Sequence, residues 1–214
     1  MTTATAGEHR RKGDLAYEVI RDRIIRVELP PGAPLEEAVI VRELGVGLTP
    51  VREAFKRLAL EKLAVIYPRR GTFVADIRVS DERWLTETRV ELEGLAAALA
   101  AERATEQEIE HLESLVETLS GLRDTRALVE TDTAIHRSVY AAAHNPYLRT
   151  TLDQYFNLSL RIWYYCMDRL PTIGEHAHNQ AAMVAAIRRR APVEARKAAE
   201  IHLRTFSDEV RAVL

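Results

Sequence analysis

Residues 35–62, LEEAVIVRELGVGLTPVREAFKRLALEK, decide the fold. The run from Leu35 to Leu44 has helical spacing and stops at Gly45. After a tight turn, a second helix is predicted from Thr49 to Lys62, with Thr49 as N-cap and Pro50 at the first helical position, where its missing N–H costs nothing. Val51, Ala54, Phe55 and Leu58 mark the buried side of that helix, while Thr49, Arg52 and Lys56 recur three and four residues apart on the other face. A helix that enters the DNA major groove N-terminus first needs hydrogen-bonding and cationic side chains in its early turns. Thr49, Arg52, Lys56 and Arg57 are therefore the candidate DNA contacts. Any one of these cations alone reads as solvated surface; it is their order within a larger pattern that points to nucleic acid.

The flanking sequence supplies that pattern. Residues 1–12 are small, polar and basic and are expected to form a flexible arm. Asp14 then caps an amphipathic run in which Leu15, Val19, Ile20, Ile24 and Val27 recur at helical spacing. This helix must end before Pro30, because LPPGAPL (29–35) is an extended, proline-rich loop. Downstream, AVIYPRRGTFVADI (64–77) places two short β-branched and aromatic runs around a Pro-Arg-Arg-Gly turn, a two-stranded hairpin. Arg69 and Arg70 at its tip are suited to phosphates or to the minor groove beside the helix.

With these segments in hand, residues 13–76 resemble the winged helix-turn-helix of the GntR family of bacterial regulators. The matching stretches are LAYEVIRDRIIRVELPPGAPLEE, GVGLTPVREAFKRLALEKLAVI and PRRGTFVADI. The resemblance implies that Thr49 and Arg52 contact DNA with the wing alongside. Two positions depart from the family: Leu48 and Ala38 stand where it usually has arginines. A leucine at 48 either touches a thymine methyl or does not reach the bases, and loss of a bidentate guanine reader removes about 1–3 kcal/mol of discrimination. The operator sequence therefore does not carry over.

After Ser80 and Asp81 the rest of the chain reads as helices, over 84–104, 105–121, 122–143, 146–170, 175–190 and 192–214. Breaks fall at Gly121, His144-Asn145-Pro146, 170–174 and Ala191-Pro192. The fold class is thus mainly α, a winged helix-turn-helix over 13–78 and an all-helical bundle over 79–214. With 47% hydrophobic and 29% charged residues the chain is too apolar to be disordered. Its one cysteine, Cys166, excludes a disulfide framework and a multi-cysteine zinc module, and reads as a buried thiol. No apolar run is long enough to span a bilayer and no signal peptide is evident, so a cytoplasmic protein is expected. Residues 1–78 hold 14 Lys and Arg against 11 Asp and Glu, and residues 79–214 hold 16 against 21, as expected for a DNA-binding head on a body that avoids phosphate.

In the helical half, Asp132 and His136 lie one helical turn apart, a spacing that suits either two ligands on one divalent ion or a hydrogen-bonded pair. This half resembles the FCD ligand-binding domain of the FadR subfamily, through TRVELEGLAAALAAERAT, DTAIHRSVYAAAHNPYL and MVAAIRRRAPVEARKAAEIHL. Members often hold a metal on one aspartate and three histidines, and the resemblance assigns Asp132, His136 and His202 to three of these, with Gln180 at the fourth. An amide oxygen binds zinc or nickel less well than imidazole but still completes a shell; His176, one turn before Gln180, is a possible substitute. The metal implied is Zn, Ni or Mn. Arg89 and Arg161 sit in apolar helix surroundings and each needs an anion, either an internal one such as Glu93 or Asp132 or, as the resemblance implies, the carboxylate of a small organic acid effector.

Together these readings give a homodimeric repressor of double-stranded operator DNA, controlled by a small carboxylate and assisted by a metal. Two heads on a twofold operator are needed because each reads few bases. The alternative is a metal-dependent hydrolase built on Asp132, His136 and His202. It lacks a separate carboxylate placed as general base, and the head already has a sufficient purpose.

Overall fold

The computed structural model describes residues 2–169 and 174–214. Helix α1 spans Thr2–Ile25, α2 Glu37–Leu44 and α3 Leu48–Leu60, followed by strands β1 (Ala64–Tyr67) and β2 (Gly71–Val74). Several boundaries shift from the sequence reading, and two of the shifts have a clear physical reason. Residues 2–12, expected as an arm, continue α1: they contain two alanines and no proline, so nothing in them stops a helix. Helix α3 starts one residue early, at Leu48, with Gly47 as N-cap and no side-chain cap. Pro50 is tolerated there because first-turn N–H groups have no intrahelical partner. The Thr49 hydroxyl is thereby left out of capping.

Helix α2 ends on Gly45 at φ 62°, the left-handed conformation that glycine adopts without a Cβ penalty. Val51, Ala54, Phe55 and Leu58 of α3 are buried, as is the facing row Ala16, Ile20 and Ile24 of α1. The hairpin is antiparallel, pairing Ala64 with Val74 and Tyr67 with Gly71. The proline-rich loop lies along β2, with Gly32 N donating to Val74 O (3.0 Å) and Leu35 N to Thr72 O (2.8 Å). The loop thus supplies the outer edge of the wing without forming a full strand.

The remaining helices are α4 (Val79–Arg103), α5 (Glu106–Gly121), α6 (Thr125–Ala142), α7 (Pro146–Cys166), α8 (Gly174–Arg188) and α9 (Pro192–Val213). Their starts follow from local chemistry: Thr105 and Glu108 form a reciprocal capping box, Asp124 and Asn145 cap α6 and α7, and Pro146 and Pro192 occupy first turns. Two compact units result. One runs to Arg78 and takes in Leu160–Tyr165 of α7; the other comprises Val79–Ser159 and Cys166–Leu214. Within the first, Arg161 donates to the Ala75 carbonyl, which links that stretch of α7 to the end of the wing. No helix among the described residues is long and apolar enough to cross a membrane. Cys166 is buried, and burial pushes its thiol pKa up to about 11, which favours the neutral thiol.

Helices α4 and α9 pack closely because small residues line α4, with Ala96, Ala97, Ala100 and Ala101 buried. A Cβ added at Gly94 would lie 3.0 Å from Glu200 Oε1 and 3.1 Å from Arg196 Cγ. Gly94→Leu is therefore expected to cost about 1–3 kcal/mol by overpacking, read as a lower urea midpoint at unchanged m-value. Gly94→Ala should be milder, since the atoms it meets belong to flexible side chains. An unchanged midpoint for the leucine variant would show that the two helices have slack.

Candidate functional site

All six residues assigned to DNA contact are exposed: Thr49, Arg52, Lys56 and Arg57 on α3, and Arg69 and Arg70 at the hairpin tip. They are not equivalent. The Arg52 guanidinium is gripped in a fork by Glu37 of α2, Nε to Oε1 at 2.8 Å and a terminal nitrogen to Oε2 at 2.9 Å. Two parallel bonds fix the plane of the guanidinium as well as its position. Arg57 instead lies over the Tyr17 ring of α1, 3.8 Å from its centroid, and donates to Asp14 at 2.7 Å. The Tyr17 hydroxyl donates to Glu61 at 2.7 Å, and burial together with that carboxylate pushes its pKa up to about 12. Arg57 thus ties α3 to α1 as well as adding charge. Arg69 takes a left-handed φ of 64° ahead of Gly71 at 98°, the backbone that closes the turn carrying both wing arginines.

The second constellation is buried in the helical unit. It joins Arg89 and Glu93 of α4, Asp132 and His136 of α6, Gln180 of α8 and His202 of α9, each at most 9% exposed. Glu93 bridges two cationic partners, taking Arg89 at 2.6 Å on one oxygen and the His136 Nδ1–H at 2.7 Å on the other. With Nδ1 so engaged, His136 turns Nε2 toward Asp132 Oδ2 (3.4 Å) and His202 Nε2 (3.2 Å). Gln180 Nε2 donates to Asp132 Oδ1 at 2.7 Å and lies 3.3 and 3.2 Å from the two imidazole Nε2 atoms. Phe156 of α7 closes one side, its ring 5.0 Å from both the His136 ring and the Arg89 guanidinium carbon.

Electrostatics explains why these groups stay charged without water. Burial opposes ionisation of Glu93, but Arg89 and His136 outweigh it and hold the carboxyl down at about 2. Burial likewise opposes charge on Asp132, and His136 and His202 more than offset it, keeping its pKa well below the ordinary carboxylate value. His136, penalised by burial, is raised to about 9 by Glu93 and Asp132. Arg89 and Glu93 cancel each other, so the cluster retains one carboxylate, Asp132, that requires a cation. Either protonated His136 or a divalent ion answers that need.

The residues present fit an ion. Asp132, His136 and His202 each offer one ligand atom, all within 4.8 Å of one another. The Glu93 anchor on Nδ1 is the carboxylate–histidine arrangement that orients metal-binding imidazoles. The structure thus brings Asp132, His136, His202 and Gln180 together, as the sequence reading expected. His176 lies outside the residues whose side chains are described. Of the two arginines with open partners, Arg89 binds Glu93 and Arg161 binds the Ala75 carbonyl. Two side chains that organise these constellations carried little sequence signal. Glu37, 15 residues before Arg52, shares no helical period with it. Glu93 was visible as Arg89's partner at i+4, but its bond to His136, 43 residues on, was not.

The profile described as "Bacterial regulatory proteins, gntR family" matches residues 13–74, and that of the FCD domain matches residues 84–205. A "Probable D-xylose utilization operon transcriptional repressor" of Paenarthrobacter nicotinovorans is 36% identical over 133 residues, which cover 59% of this chain and 58% of that protein. An HTH-type transcriptional regulator from an unstable DNA locus of Streptomyces ambofaciens is 30% identical over 208 residues, 92% of this chain and 84% of the relative. Among solved structures, McbR/YncC of E. coli superposes with a TM-score of 0.83 at 22% identity, covering 93% of this chain and 96% of that one.

Because Glu93 neutralises a fully buried guanidinium, Glu93→Ala should cost about 3–5 kcal/mol, the penalty of leaving a buried charge uncompensated. Replacing the pair together, Arg89→Met with Glu93→Leu, should recover much of that loss. Urea denaturation of the three proteins checks this, and a near-silent Glu93→Ala would mean that the bridge contributes nothing to the fold.

Proposed function

We propose, from the premise that the chain belongs to the GntR family of bacterial regulatory proteins and carries an FCD domain, that it is a homodimeric repressor of operator DNA controlled by a small organic acid. Proteins of this family are DNA-binding regulators and not enzymes, which sets the hydrolase alternative aside. The observation that carries the DNA half is the exposed face of α3, where Thr49, Arg52 and Lys56 stand clear of the core and Glu37 pre-orients the Arg52 fork. An ordered guanidinium loses less freedom on meeting a base edge, so Arg52 is the specificity residue and Lys56, Arg69 and Arg70 are phosphate contacts. Arg57 contributes to the field while serving mainly as a brace. Two copies on a twofold site in the bacterial cytoplasm supply the discrimination that one head lacks.

The effector half rests on the buried Asp132 carboxylate and the two imidazoles gathered around it. Asp132, His136 and His202 would hold a zinc, nickel or manganese ion, with Gln180 beside them. Such an ion would neutralise Asp132 and offer a positive partner to an effector carboxylate. Arg89 adds positive charge to the same neighbourhood, but an effector reaching it competes with Glu93. For Arg161 the internal role is the one we adopt, as support for Ala75 at the end of the wing.

Titration of the purified protein against its own upstream intergenic DNA tests the DNA half. Arg52→Ala should weaken operator binding by about 1–3 kcal/mol and leave binding to unrelated DNA nearly unchanged. Arg69→Ala and Arg70→Ala should weaken both equally, each lowering the salt slope by about 1. Absence of specific retention at moderate salt overturns the repressor reading. Elemental analysis of wild type and His136→Ala addresses the metal: equal, near-zero content in both removes the ion and leaves the DNA half standing.

A further inference from the structure

We propose that Gln180 is a two-state donor. With its NH2 turned inward it closes the buried site of the metal-free protein, and with its amide reversed its carbonyl oxygen becomes the fourth ligand of a divalent cation. The proposal rests on the reading of Asp132, His136 and His202 as metal ligands.

The separations among five atoms, two of them the Asp132 oxygens, carry it. His136 Nε2 and His202 Nε2 are 3.2 Å apart, and the Asp132 oxygens lie 3.4 and 3.8 Å from them. The Gln180 amide nitrogen is 3.3 and 3.2 Å from the imidazoles and 2.7 Å from Asp132. Ligands about 2.0–2.1 Å from a tetrahedral zinc stand roughly 3.3 Å from one another. Gln180 therefore holds its amide about one such edge from both imidazoles and beside Asp132, in the place of a fourth ligand, and its side chain is fully buried there.

The atom at that corner is the wrong one for an ion. An amide NH2 donates hydrogen bonds and offers no lone pair, whereas the carbonyl oxygen offers two. Turned inward, the NH2 satisfies Asp132 with one hydrogen and one imidazole with the other. The amide oxygen faces away, buried and without a hydrogen-bond partner among the described residues. Reversing the amide exchanges the two atoms with little change of shape. It would set Oε1 against Asp132 Oδ1 at the present 2.7 Å, a repulsive pair of oxygens unless a cation lies between them. The orientation of Gln180 is thus coupled to the ion: inward NH2 without it, inward oxygen with it. An amide oxygen is a harder donor than imidazole, so this corner weakens zinc and nickel relative to a shell of one aspartate and three histidines and brings manganese closer to them.

The test uses the metal-stripped full-length protein, titrated with Zn²⁺ and with Mn²⁺ against a chelator, as wild type, Gln180→Leu, Gln180→His and Gln180→Glu. The chain has three glutamines, Gln107, Gln154 and Gln180, so selective 15N-glutamine labelling gives three side-chain amide pairs, and Gln180→Leu assigns one of them. Expected are an affinity loss of about 10–100-fold for zinc in Gln180→Leu, a gain in Gln180→His that is larger for zinc than for manganese, and a shift of the Gln180 amide pair when metal is added. Gln180→Glu, which keeps an oxygen donor, serves if the leucine variant does not fold, and should bind zinc at least as tightly as wild type. If Gln180→Leu binds like wild type and the amide signal does not move, Gln180 is no ligand and the proposal is overturned while the metal reading survives. If wild type takes up no metal but Gln180→Leu does, the glutamine is a fixed plug and the reversal is wrong. If no form binds, the metal reading falls and this proposal with it.

Discussion

The helical unit depends on one carboxylate with two cationic partners. Glu93 sits between the Arg89 guanidinium and the His136 imidazole, all three almost wholly out of water. A buried ion pair adds little net stability, since the cost of desolvating two charges consumes most of the attraction. What it supplies is position. The Nδ1–H of His136 is held by Glu93, so its ring is fixed with Nε2 facing Asp132, Gln180 and His202. Three helices, α6, α8 and α9, converge on that atom, and α4 holds it there.

A parallel economy governs the head. Four polar or cationic side chains share the exposed side of α3, and two of them have anionic partners on other helices. Arg52 reaches Glu37 of α2, and Arg57 reaches Asp14 and Tyr17 of α1. The first partnership is exposed, so it adds little stability in water, and what it supplies is the orientation of the guanidinium. The second includes an aromatic face that a phosphate cannot replace, which keeps Arg57 at home. Helical spacing gave the two arginines one reading; their partners separate them.

Much of the molecule was legible in the chain because its punctuation is chemical. Gly45, Pro146, Pro192 and the Thr105 capping box act on backbone groups within a few residues, and the helices begin and end beside them. The hairpin followed from β-branched runs around Pro-Arg-Arg-Gly for the same reason. Continuation of α1 through residues 2–12 was missed because a polar, basic segment carries no apolar stripe, the signal that separates a helix from an arm. Resemblance to the FCD domain grouped Asp132, His136, Gln180 and His202, but no local signal identifies which atom of a glutamine amide faces its neighbours. Long-range partners such as Glu37 for Arg52 are set by how helices cross, and sequence spacing does not encode that.

Two of the three departures from the family pattern, Leu48 and Gln180, share one physical consequence. At the start of α3, Leu48 is 43% exposed where an arginine is usual, and in the body Gln180 replaces an imidazole. Each exchanges a strong, indiscriminate partner for a conditional one. An arginine is drawn to any phosphate, whereas an exposed leucine gains only if an apolar surface such as a thymine methyl covers it. An imidazole binds most transition metals tightly, whereas an amide has a donor end and an acceptor end and must commit one of them. Where a contact depends on the partner's chemistry, occupancy reports that chemistry. A regulator needs that property more than it needs tight binding, because a site that is always filled transmits nothing.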